Sequence, residues 1–405
     1  MQPVETAVDP QLDTEQQKSW KTPQMFLLLV SIVVPIAFAS WSALLNNFVV
    51  EKAAFTGEDI GLLQSVREIP GFLAFTAVFV LMFIREQRFM IVALVMLSVG
   101  VAITGFFPSL IGLLMTTLLM SSGFHYFETI KQSLSLQWLS KEEAPEFLGK
   151  LISVGALASL LAYGGLWVML EVFKLGYLQV YMITGCVALA ITLFMWLTFP
   201  QFESKTVQNK SLVLRKRYWL YYALTFMSGA RRQIFTVFAA FLMVEKFHYS
   251  AADITLLFTI NFTFNFLFAK RIGRFIGVVG ERKALIFEYC GLVCVFVGYA
   301  VVENAHIAAG LYVIDHLFFA LALAVNTYLQ KIADQEDMAS TAGVSFTINH
   351  IAAVVIPVTF GVLWMSSPAE VFYLGAAMAV VSLILSCNIP RHPKPGNEVC
   401  KFRLD

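Results

Sequence analysis

Residues 201–217, QFESKTVQNKSLVLRKR, form the only long polar interruption between two blocks of apolar sequence. On either side, the chain is divided into hydrophobic segments of roughly 20 residues, the length that crosses the ~30 Å hydrocarbon core of a bilayer. The first block contains six segments, at 26–49, 59–84, 88–107, 109–137, 147–173 and 176–198. The second block contains six more, at 218–245, 251–269, 284–303, 305–331, 339–365 and 368–388.

These segments predict an all-α membrane protein with twelve transmembrane helices. We expect five regions along the chain: an N-terminal tail (1–25), a six-helix unit (26–198), a linker (199–217), a second six-helix unit (218–388) and a C-terminal tail (389–405).

The composition supports lipid as the surroundings of the chain. Of its 405 residues, 58% are hydrophobic and only 14% are charged, whereas a soluble domain carries about 25% charged residues. The net charge of +1 gives no reason to expect a nucleic-acid partner. The five cysteines show no spacing typical of a zinc site or a disulfide framework. We therefore expect no metal and no cofactor.

The positive charges predict the orientation in the membrane. With the N-terminus inside, 21 of the 28 Lys and Arg residues fall in cytoplasmic loops and tails, four fall within segments, and three (Lys52, Lys174 and Lys246) fall outside. Cytoplasmic loops of membrane proteins carry such an excess. We expect a multi-pass protein of the plasma (inner) membrane with both termini in the cytoplasm, acting as a monomer.

A weak internal repeat also indicates two halves. QWLSKEEAPEFLG (137–149) and QKIADQEDMASTAG (330–343) share a leading Gln and an acidic pair. Each stretch follows the fourth segment of its block, which indicates a duplicated six-helix unit.

The sequence GRFIGVVGERK (273–283), between segments eight and nine, resembles the signature loop of the major facilitator superfamily, Gly-x-x-x-Asp-Arg-x-Gly-Arg-Arg/Lys. Gly277 and Val278 stand where the family has Asp and Arg. The resemblance implies two pseudo-symmetric six-helix bundles that transport a small molecule by alternating access. It also implies a gating role for the matching residues Gly273, Gly280 and Arg282.

Ionisable side chains at membrane depth are candidates for function, because each costs about 3 kcal/mol or more unless it faces a cavity or a partner. Segment nine carries only Glu288, which we expect near the cytoplasmic end, paired with loop arginines or reaching the surface. Segments three, six and twelve carry almost nothing comparable. The remaining segments carry Asn46, Asn47, Arg67, Glu68, His125, Glu128, Lys131, Arg231, Arg232, Asn261, Asn265, Asp315, His316, Asn349 and His350. The resemblance implies that helices one, four, seven and ten line the cavity.

A polar stripe runs along one face of the fourth segment. Ser121, His125, Glu128, Gln132 and Ser135 recur at spacings of three and four residues, as on one side of a helix. Such a stripe faces either a water-filled cavity or a polar seam between helices. We favour the cavity, because the stripe and the neighbouring Lys131 together carry three ionisable groups.

Two arginines stand side by side in the seventh segment. Arg231 and Arg232 point about 100° apart on a helix, so we expect one to reach the cavity and the other to pair with an acid. An alternative is that both are structural counter-charges. Arg67 and Glu68 likewise point apart, and we expect a gate or a substrate contact there.

Charge balance in the presumed cavity suggests the cargo. Four cations (Arg67, Lys131, Arg231 and Arg232) face three acids (Glu68, Glu128 and Asp315), which leaves one cation to be neutralised. We predict a secondary transporter for a small organic anion or zwitterion, coupled to protons. An alternative is a proton-coupled exporter of amphipathic or cationic compounds, which needs an unpaired acid. A sensor is disfavoured by the short polar regions, and an enzyme by the lack of a catalytic constellation.

The predicted site residues fall into two further groups beside the gating positions Arg67, Glu68, Gly273, Gly280 and Arg282. The substrate-binding candidates are Arg231, Arg232, Lys131, Gln132, Asn46, Asn261, Asn349 and Tyr126. The candidates for proton coupling are Glu128, Asp315, His125 and His316, since buried acids can exchange protons near neutral pH.

Overall fold

The computed structural model describes residues 20–138, 144–202, 214–334 and 338–400, and within them twelve helical spans. The N-terminal half comprises α1 (Pro23–Ala53), α2 (Gly57–Phe72, a 3₁₀ turn at Ala74–Thr76, and Ala77–Leu81), α3 (Glu86–Thr104), α4 (Leu110–Trp138), α5 (Ala144–Trp167, then a π-helix at Val168–Val172) and α6 (Tyr177–Thr198). The C-terminal half comprises α7 (Trp219–Gln233, a π-helix at Ile234–Ala239, and Ala240–Glu245), α8 (Ala251–Val279), α9 (Glu281–Val301), α10 (Ala305–Phe319, a 3₁₀ turn at Ala320–Ala322, and Leu323–Ile332), α11 (Met338–Ser366) and α12 (Pro368–Cys387).

Ten of these spans are long and apolar enough to cross a membrane by length and composition, and α2 and α7 are the two that fall short. The reason lies in their length and polarity: the first helix of α2 covers 16 residues with four charges, and Arg231, Arg232 and Gln233 lie near the middle of α7. Both spans are also interrupted. Helix α2 contains Pro70, which removes a backbone donor, and is followed by a 3₁₀ turn. Helix α7 is divided by its π-helix, a distortion that is frequent at functional sites.

The second helix of each half begins with the same local chemistry. Thr56 caps α2 and exchanges hydrogen bonds with Asp59, and Ser250 caps α8 and does the same with Asp253. Each pair is a capping box, which satisfies backbone donors at a helix start. Matching caps at matching places show that the two halves are built on one plan.

We call the end of the bundle that carries Pro23, Gln201 and Cys387 the terminal end, and the opposite end the far end. Within the N-terminal half, α3 packs on α4 and α6, and α1 packs on α5 and α6. Within the C-terminal half, α9 packs on α12 and α10, and α7 packs on α11 and α12. Between the halves, α2 packs along α11 and α5 along α8.

The halves approach each other most closely towards the far end. A Cβ at Gly361 would lie 2.6 Å from the carbonyl oxygen of Gly57, so only glycine allows these backbones to pack. Asn47 Nδ2 donates a 2.6 Å hydrogen bond from α1 to the carbonyl of Tyr249, ahead of α8. Tyr163 of α5 stacks on Phe258 of α8 with ring centroids 5.4 Å apart. The far end is therefore closed in this conformation.

The segment that resembles the family's signature loop is mostly helical, which corrects its assignment to a loop. Helix α8 continues to Val279, because Gly273 and Gly277 keep negative φ angles and the first positive φ, +84°, occurs at Gly280. Gly273 therefore lies within α8, and a Cβ there would meet no atom within 4 Å. The turn between α8 and α9 is reduced to Gly280 alone. Most of the linker (203–213), part of the repeat (139–143 and 335–337) and the outer parts of both tails lie outside the described residues.

Candidate functional site

Ionisable side chains from both halves meet at the middle of the bundle. Glu68 of α2, His125 of α4 and His350 of α11 are all buried, and one ligand atom of each lies within 4.8 Å of the other two. The rings of His125 and His350 meet edge to face, with centroids 5.1 Å apart. We call Arg67, Glu68, His125, Arg232 and His350 the inter-half cluster.

The two carboxylate oxygens of Glu68 have different partners. Oε1 accepts a hydrogen bond from Nη2 of Arg67, and Oε2 lies 3.7 Å from Nε2 of His350. The expectation that Arg67 and Glu68 point apart is therefore wrong. The long Arg67 side chain turns back to its neighbour, because a buried carboxylate needs a counter-charge.

His350 is oriented by its own helix. Its Nδ1 lies 2.8 Å from the carbonyl oxygen of Phe346, which only accepts, so Nδ1 carries a hydrogen and donates it. Nε2 of a neutral ring then presents a lone pair to the carboxylate of Glu68. A proton shared between the two, or a donor from a bound molecule, would satisfy both acceptors.

A glycine makes room for both imidazole rings. Gly71 follows Pro70 in α2, and a Cβ at this position would lie 2.7 Å from Cε1 of His125 and would overlap the ring of His350. The interrupted part of α2 is thus the place where α4 and α11 bring their histidines together.

Arg232 supplies the cluster's unpaired charge. It is partly buried, interacts electrostatically with Glu68 and Arg67, and forms no ion pair or side-chain hydrogen bond within the described ranges. With neutral histidines, two guanidinium groups face one carboxylate. The cluster therefore carries a net charge of about +1, which a bound anion would neutralise.

The same three ligand atoms could hold a metal ion, since two histidines and a carboxylate are a common set for transition metals. The charge of the surroundings opposes this use. A divalent cation would be added beside Arg67 and Arg232, which already exceed the negative charge of Glu68. Electrostatics therefore favours an anion over a metal at this position.

Arg231 points away from the inter-half cluster into the C-terminal bundle. Its Nη1 lies 3.5 Å from Oε1 of Glu288 on α9, and its guanidinium lies 4.4 Å from the ring centre of Tyr289. Arg231 also interacts electrostatically with Asp315 of α10. We call Arg231, Glu288 and Asp315 the C-bundle cluster. The expectation that Glu288 reaches the surface or a loop arginine is wrong, because it is fully buried against Arg231.

The residues of the polar stripe on α4 lie in different environments. Ser121 donates to the backbone carbonyl of Arg67, and His125 belongs to the inter-half cluster. Glu128 lies 3.7 Å from Lys131, and both side chains are partly exposed. The side chain of Gln132 lies outside the described part of the chain. The stripe thus leads from the inter-half cluster to a more open region.

The remaining predicted residues lie apart from the inter-half cluster or at its edge. Tyr126 faces α2 and α3: its hydroxyl lies 2.8 Å from that of Thr76, and its ring contacts Phe89. Asn349 packs against Gly229 of α7. The side-chain oxygens of Asn46 and Asn261 are buried without a hydrogen-bond partner among the described residues. His316 Nε2 lies 2.8 Å from Nδ2 of Asn265, and Arg282 is partly buried at the start of α9.

Three important residues, His350, Glu288 and Gly71, were absent from the predicted site. His350 was counted among the ionisable residues at membrane depth but was given no role. Glu288 was given a surface role because it stands alone in an otherwise apolar segment, yet an acid in such a segment is itself the signal for a buried partner. Gly71 carries no chemistry of its own. Its position after Pro70 in an interrupted helix was the available clue.

A long apolar twelve-helix chain with ionic groups gathered between two halves is the architecture of a membrane transporter. A family model for the Major Facilitator Superfamily matches residues 26–357, and the chain belongs to this family. No curated protein sequence matches the chain.

Solved structures share the fold. A point mutant of the nucleoside transporter NupG has a TM-score of 0.75 and 16% identity over 90% of this chain and 99% of that one. A bacterial homolog of the human lysosomal transporter Spinster, in an inward-facing and occupied conformation, has a TM-score of 0.66 and 13% identity over 94% and 96% of the two chains. At these identities the likeness concerns the fold alone.

Proposed function

We propose that this protein is a secondary transporter that carries a small organic anion, or a zwitterion with an anionic group, by alternating access and in exchange or together with protons. The single observation that carries this proposal is the environment of Arg232. Its guanidinium is half-buried and without an ion-pair partner in the described ranges, in a cluster shared by both halves.

The chemistry of the inter-half cluster favours an anionic cargo. A guanidinium is a planar fork that binds carboxylate or phosphate with two parallel hydrogen bonds. A cationic cargo would need an unpaired acid at the inter-half cluster, but Glu68, the acid of this cluster, pairs with Arg67. Glu128 pairs with Lys131, and Asp315, which has no ion pair among the described residues, is fully buried inside the C-terminal bundle. The runner-up prediction, an exporter of cationic compounds, therefore has weaker support.

The two halves supply a route for alternating access. The inter-half contacts described above lie at the far end, as at Gly57 with Gly361, or near the middle, as at Glu68 with His350. Separation of the far-end contacts would open the inter-half cluster to the other side. From the distribution of Lys and Arg, we place the terminal end in the cytoplasm of the plasma (inner) membrane.

Protons are the proposed coupling ion because ionisable groups lie at membrane depth in both halves. Asp315 is fully buried, and its Oδ2 has no hydrogen-bond partner among the described residues. Glu128 is the weaker candidate, since it is partly exposed and paired with Lys131.

The decisive test is a binding screen with matched ligands on the purified protein. Uridine and uridine monophosphate differ only in the phosphate, and uridine also represents the nucleosides named for NupG. Carboxylates, zwitterions and organic cations of similar size complete the screen. A ligand that binds the folded form raises its melting temperature. We expect stabilisation by anions or zwitterions; stabilisation by neutral or cationic members alone would refute the proposal.

Substitution of Arg232 tests the residue that carries the proposal. We expect Arg232→Ala to weaken binding of the stabilising anion by about ten- to a hundredfold, the loss of a charge-assisted hydrogen bond of roughly 1.5–3 kcal/mol. Arg232→Lys should recover part of the affinity, since it keeps the charge but loses the fork. Isothermal titration calorimetry would measure both. Arg391→Gln, on the exposed C-terminal segment, is the control, and an equal loss in the control would refute the assignment.

A further inference from the structure

We infer that the C-bundle cluster is a proton-binding site, distinct from the inter-half cluster, in which Glu288 and Asp315 together hold one proton beside Arg231. This inference deepens the proposed function by locating the coupling proton. It rests on the geometry of α7, α9 and α10, and it assigns a role to Glu288, a residue that was not among the predicted site residues.

The three ionic groups of the cluster are withdrawn from solvent. The exposed fractions of Arg231, Glu288 and Asp315 are 1%, 0% and 1%. Only one close ion pair joins them, at 3.5 Å between Arg231 Nη1 and Glu288 Oε1. The side chains lie inside one bundle, so they do not depend on contact with the other half.

The cluster has more hydrogen-bonding capacity than it uses. Among the described residues, Nε and Nη2 of Arg231, Oε2 of Glu288 and Oδ2 of Asp315 are buried without a hydrogen-bond partner. The hydroxyl group of Tyr299 is in the same state. Buried polar atoms are normally paired, so this set of open donors and acceptors indicates that something small is exchanged here.

Charge balance identifies what is exchanged. Two carboxylates beside one guanidinium would carry a net charge of −1 in a site without solvent, which is costly. The charged groups that act on Asp315 are Arg231 and Glu288. The other side chains around the cluster, Tyr289, Tyr299 and Tyr312, are neutral phenols. Where α12 packs against α7 and α9, it presents Gly375 and the ring of Phe372, which stacks on Tyr299, and its buried residues carry no charge. One proton on either carboxyl oxygen makes the cluster neutral.

The two clusters are joined through a single helix. Arg231 belongs to the C-bundle cluster and Arg232 to the inter-half cluster, and the π-helix at 234–239 begins two residues later. When the proton leaves, the unbalanced carboxylate attracts Arg231 more strongly. This pull acts on the backbone that also holds Arg232, which provides a physical link between proton release and the anion position.

Infrared spectroscopy of the purified protein without any ligand tests the site directly. A buried protonated carboxyl group has its own carbonyl stretch, which shifts in heavy water. We expect this band at neutral pH in the unmodified protein and its loss in both Glu288→Gln and Asp315→Asn. Each single variant leaves one carboxylate to balance Arg231, so no proton is needed. Glu303→Gln, whose side chain is 83% exposed, is the control and should keep the band.

A further variant should increase the infrared band instead of removing it. Arg231→Gln removes the counter-charge, so both carboxyl groups should be protonated and the band should grow about twofold. Persistence of the band in both acid variants would overturn the inference, as would its absence from the unmodified protein. A sodium ion in place of the proton would also overturn the inference. Its sign would be a melting temperature that rises with NaCl but not with choline chloride, and that no longer rises in Asp315→Asn.

A transport assay tests whether the proton site couples anion transport to the pH gradient. In vesicles, Asp315→Asn and Glu288→Gln should lose anion accumulation driven by a pH gradient by at least about tenfold, within the usual range of coupling free energies. Undiminished accumulation would contradict the inference. The two proposals fail separately: an unaffected anion affinity in Arg232→Ala would refute the anion site and leave the infrared result intact, whereas a missing band would leave the anion result intact.

Discussion

At the residue scale, the neighbouring residues Arg231 and Arg232 belong to different clusters. Arg231 is locked against Glu288 inside one bundle, whereas Arg232 faces the cluster shared by both halves. The 100° step between consecutive helical residues predicts that they separate. It does not predict which one faces which side, because that depends on the rotation of α7 against α9 and α11.

Removal of Arg231 should destabilise the protein in a pH-dependent way. Arg231→Ala removes the counter-charge of the one carboxylate that stays ionised, so the folded protein must either bury that charge unpaired or take up a second proton. We expect a loss of on the order of 3 kcal/mol in the free energy of unfolding near neutral pH. The loss should shrink as pH falls, since protonation removes the uncompensated charge. Melting temperatures of the purified protein across a pH series would measure it.

The matched control for this change is Lys174→Ala. Lys174 pairs with Glu171 at 2.6 Å, but both side chains are well exposed, so the pair is worth about 0–1 kcal/mol. An equal loss of stability in both variants, or a loss in Arg231→Ala that does not depend on pH, would contradict the charge assignment of the C-bundle cluster.

At the element scale, the interruptions of α2 and α7 coincide with the ionic clusters. Pro70 and Gly71 lie three residues or fewer from Glu68, and the π-helix of α7 follows Arg232. Hydrophobic length predicted the twelve helices because each span must satisfy its own backbone in lipid. The interruptions could not be located in the same way, since they depend on what the neighbouring helices insert.

A methyl group at Gly71 should disturb the cluster. Gly71→Ala places a Cβ against the rings of His125 and His350, and we expect a loss of about 1–3 kcal/mol from overpacking together with weaker anion binding. Gly164→Ala in α5 is the control, because a Cβ there meets no atom within 4 Å. The control should gain stability, as alanine favours a helix. Equal behaviour of the two variants in thermal unfolding would show that the Gly71 contact is unimportant.

The corrected position of Gly273 belongs to the same scale. The motif match placed it in a loop, but an isolated glycine in a membrane helix does not end it when flanking residues are apolar. Only Gly280, with its positive φ, ends α8. A motif identified the family correctly and did not locate a helix boundary.

At the scale of the whole molecule, the closed far end determines which side of the membrane reaches the inter-half cluster. The two-bundle architecture followed from the six-plus-six pattern and the family resemblance. The closed state did not, because it depends on glycines at 57, 61 and 361 that no polar pattern marks.

Substitution at Gly361 should shift the balance between the two access states. Gly361→Val cannot fit against Gly57 and Gly61, so we expect the far end to open more often. A cysteine introduced at Gln64, which is buried in the closed form, should then react with an impermeant maleimide about tenfold faster, as for a shift of about 1.4 kcal/mol. The measurement requires replacement of the five native cysteines. Gly310→Ala, with no atom within 4 Å of its Cβ, is the control; an unchanged rate in Gly361→Val would contradict this view of the contact.

The matching capping boxes allow equivalent depths in the two halves to be compared. Counted from the acidic capping residue, Arg67 of α2 and Asn261 of α8 occupy the same position. The equivalent helices of the two halves thus carry different chemistry at this depth: a charged side chain in α2 and an amide side chain in α8. The pseudo-twofold symmetry of the backbone is therefore not shared by the side chains at this depth. A solute held between the two halves meets unlike partners at its two ends and has a single preferred orientation.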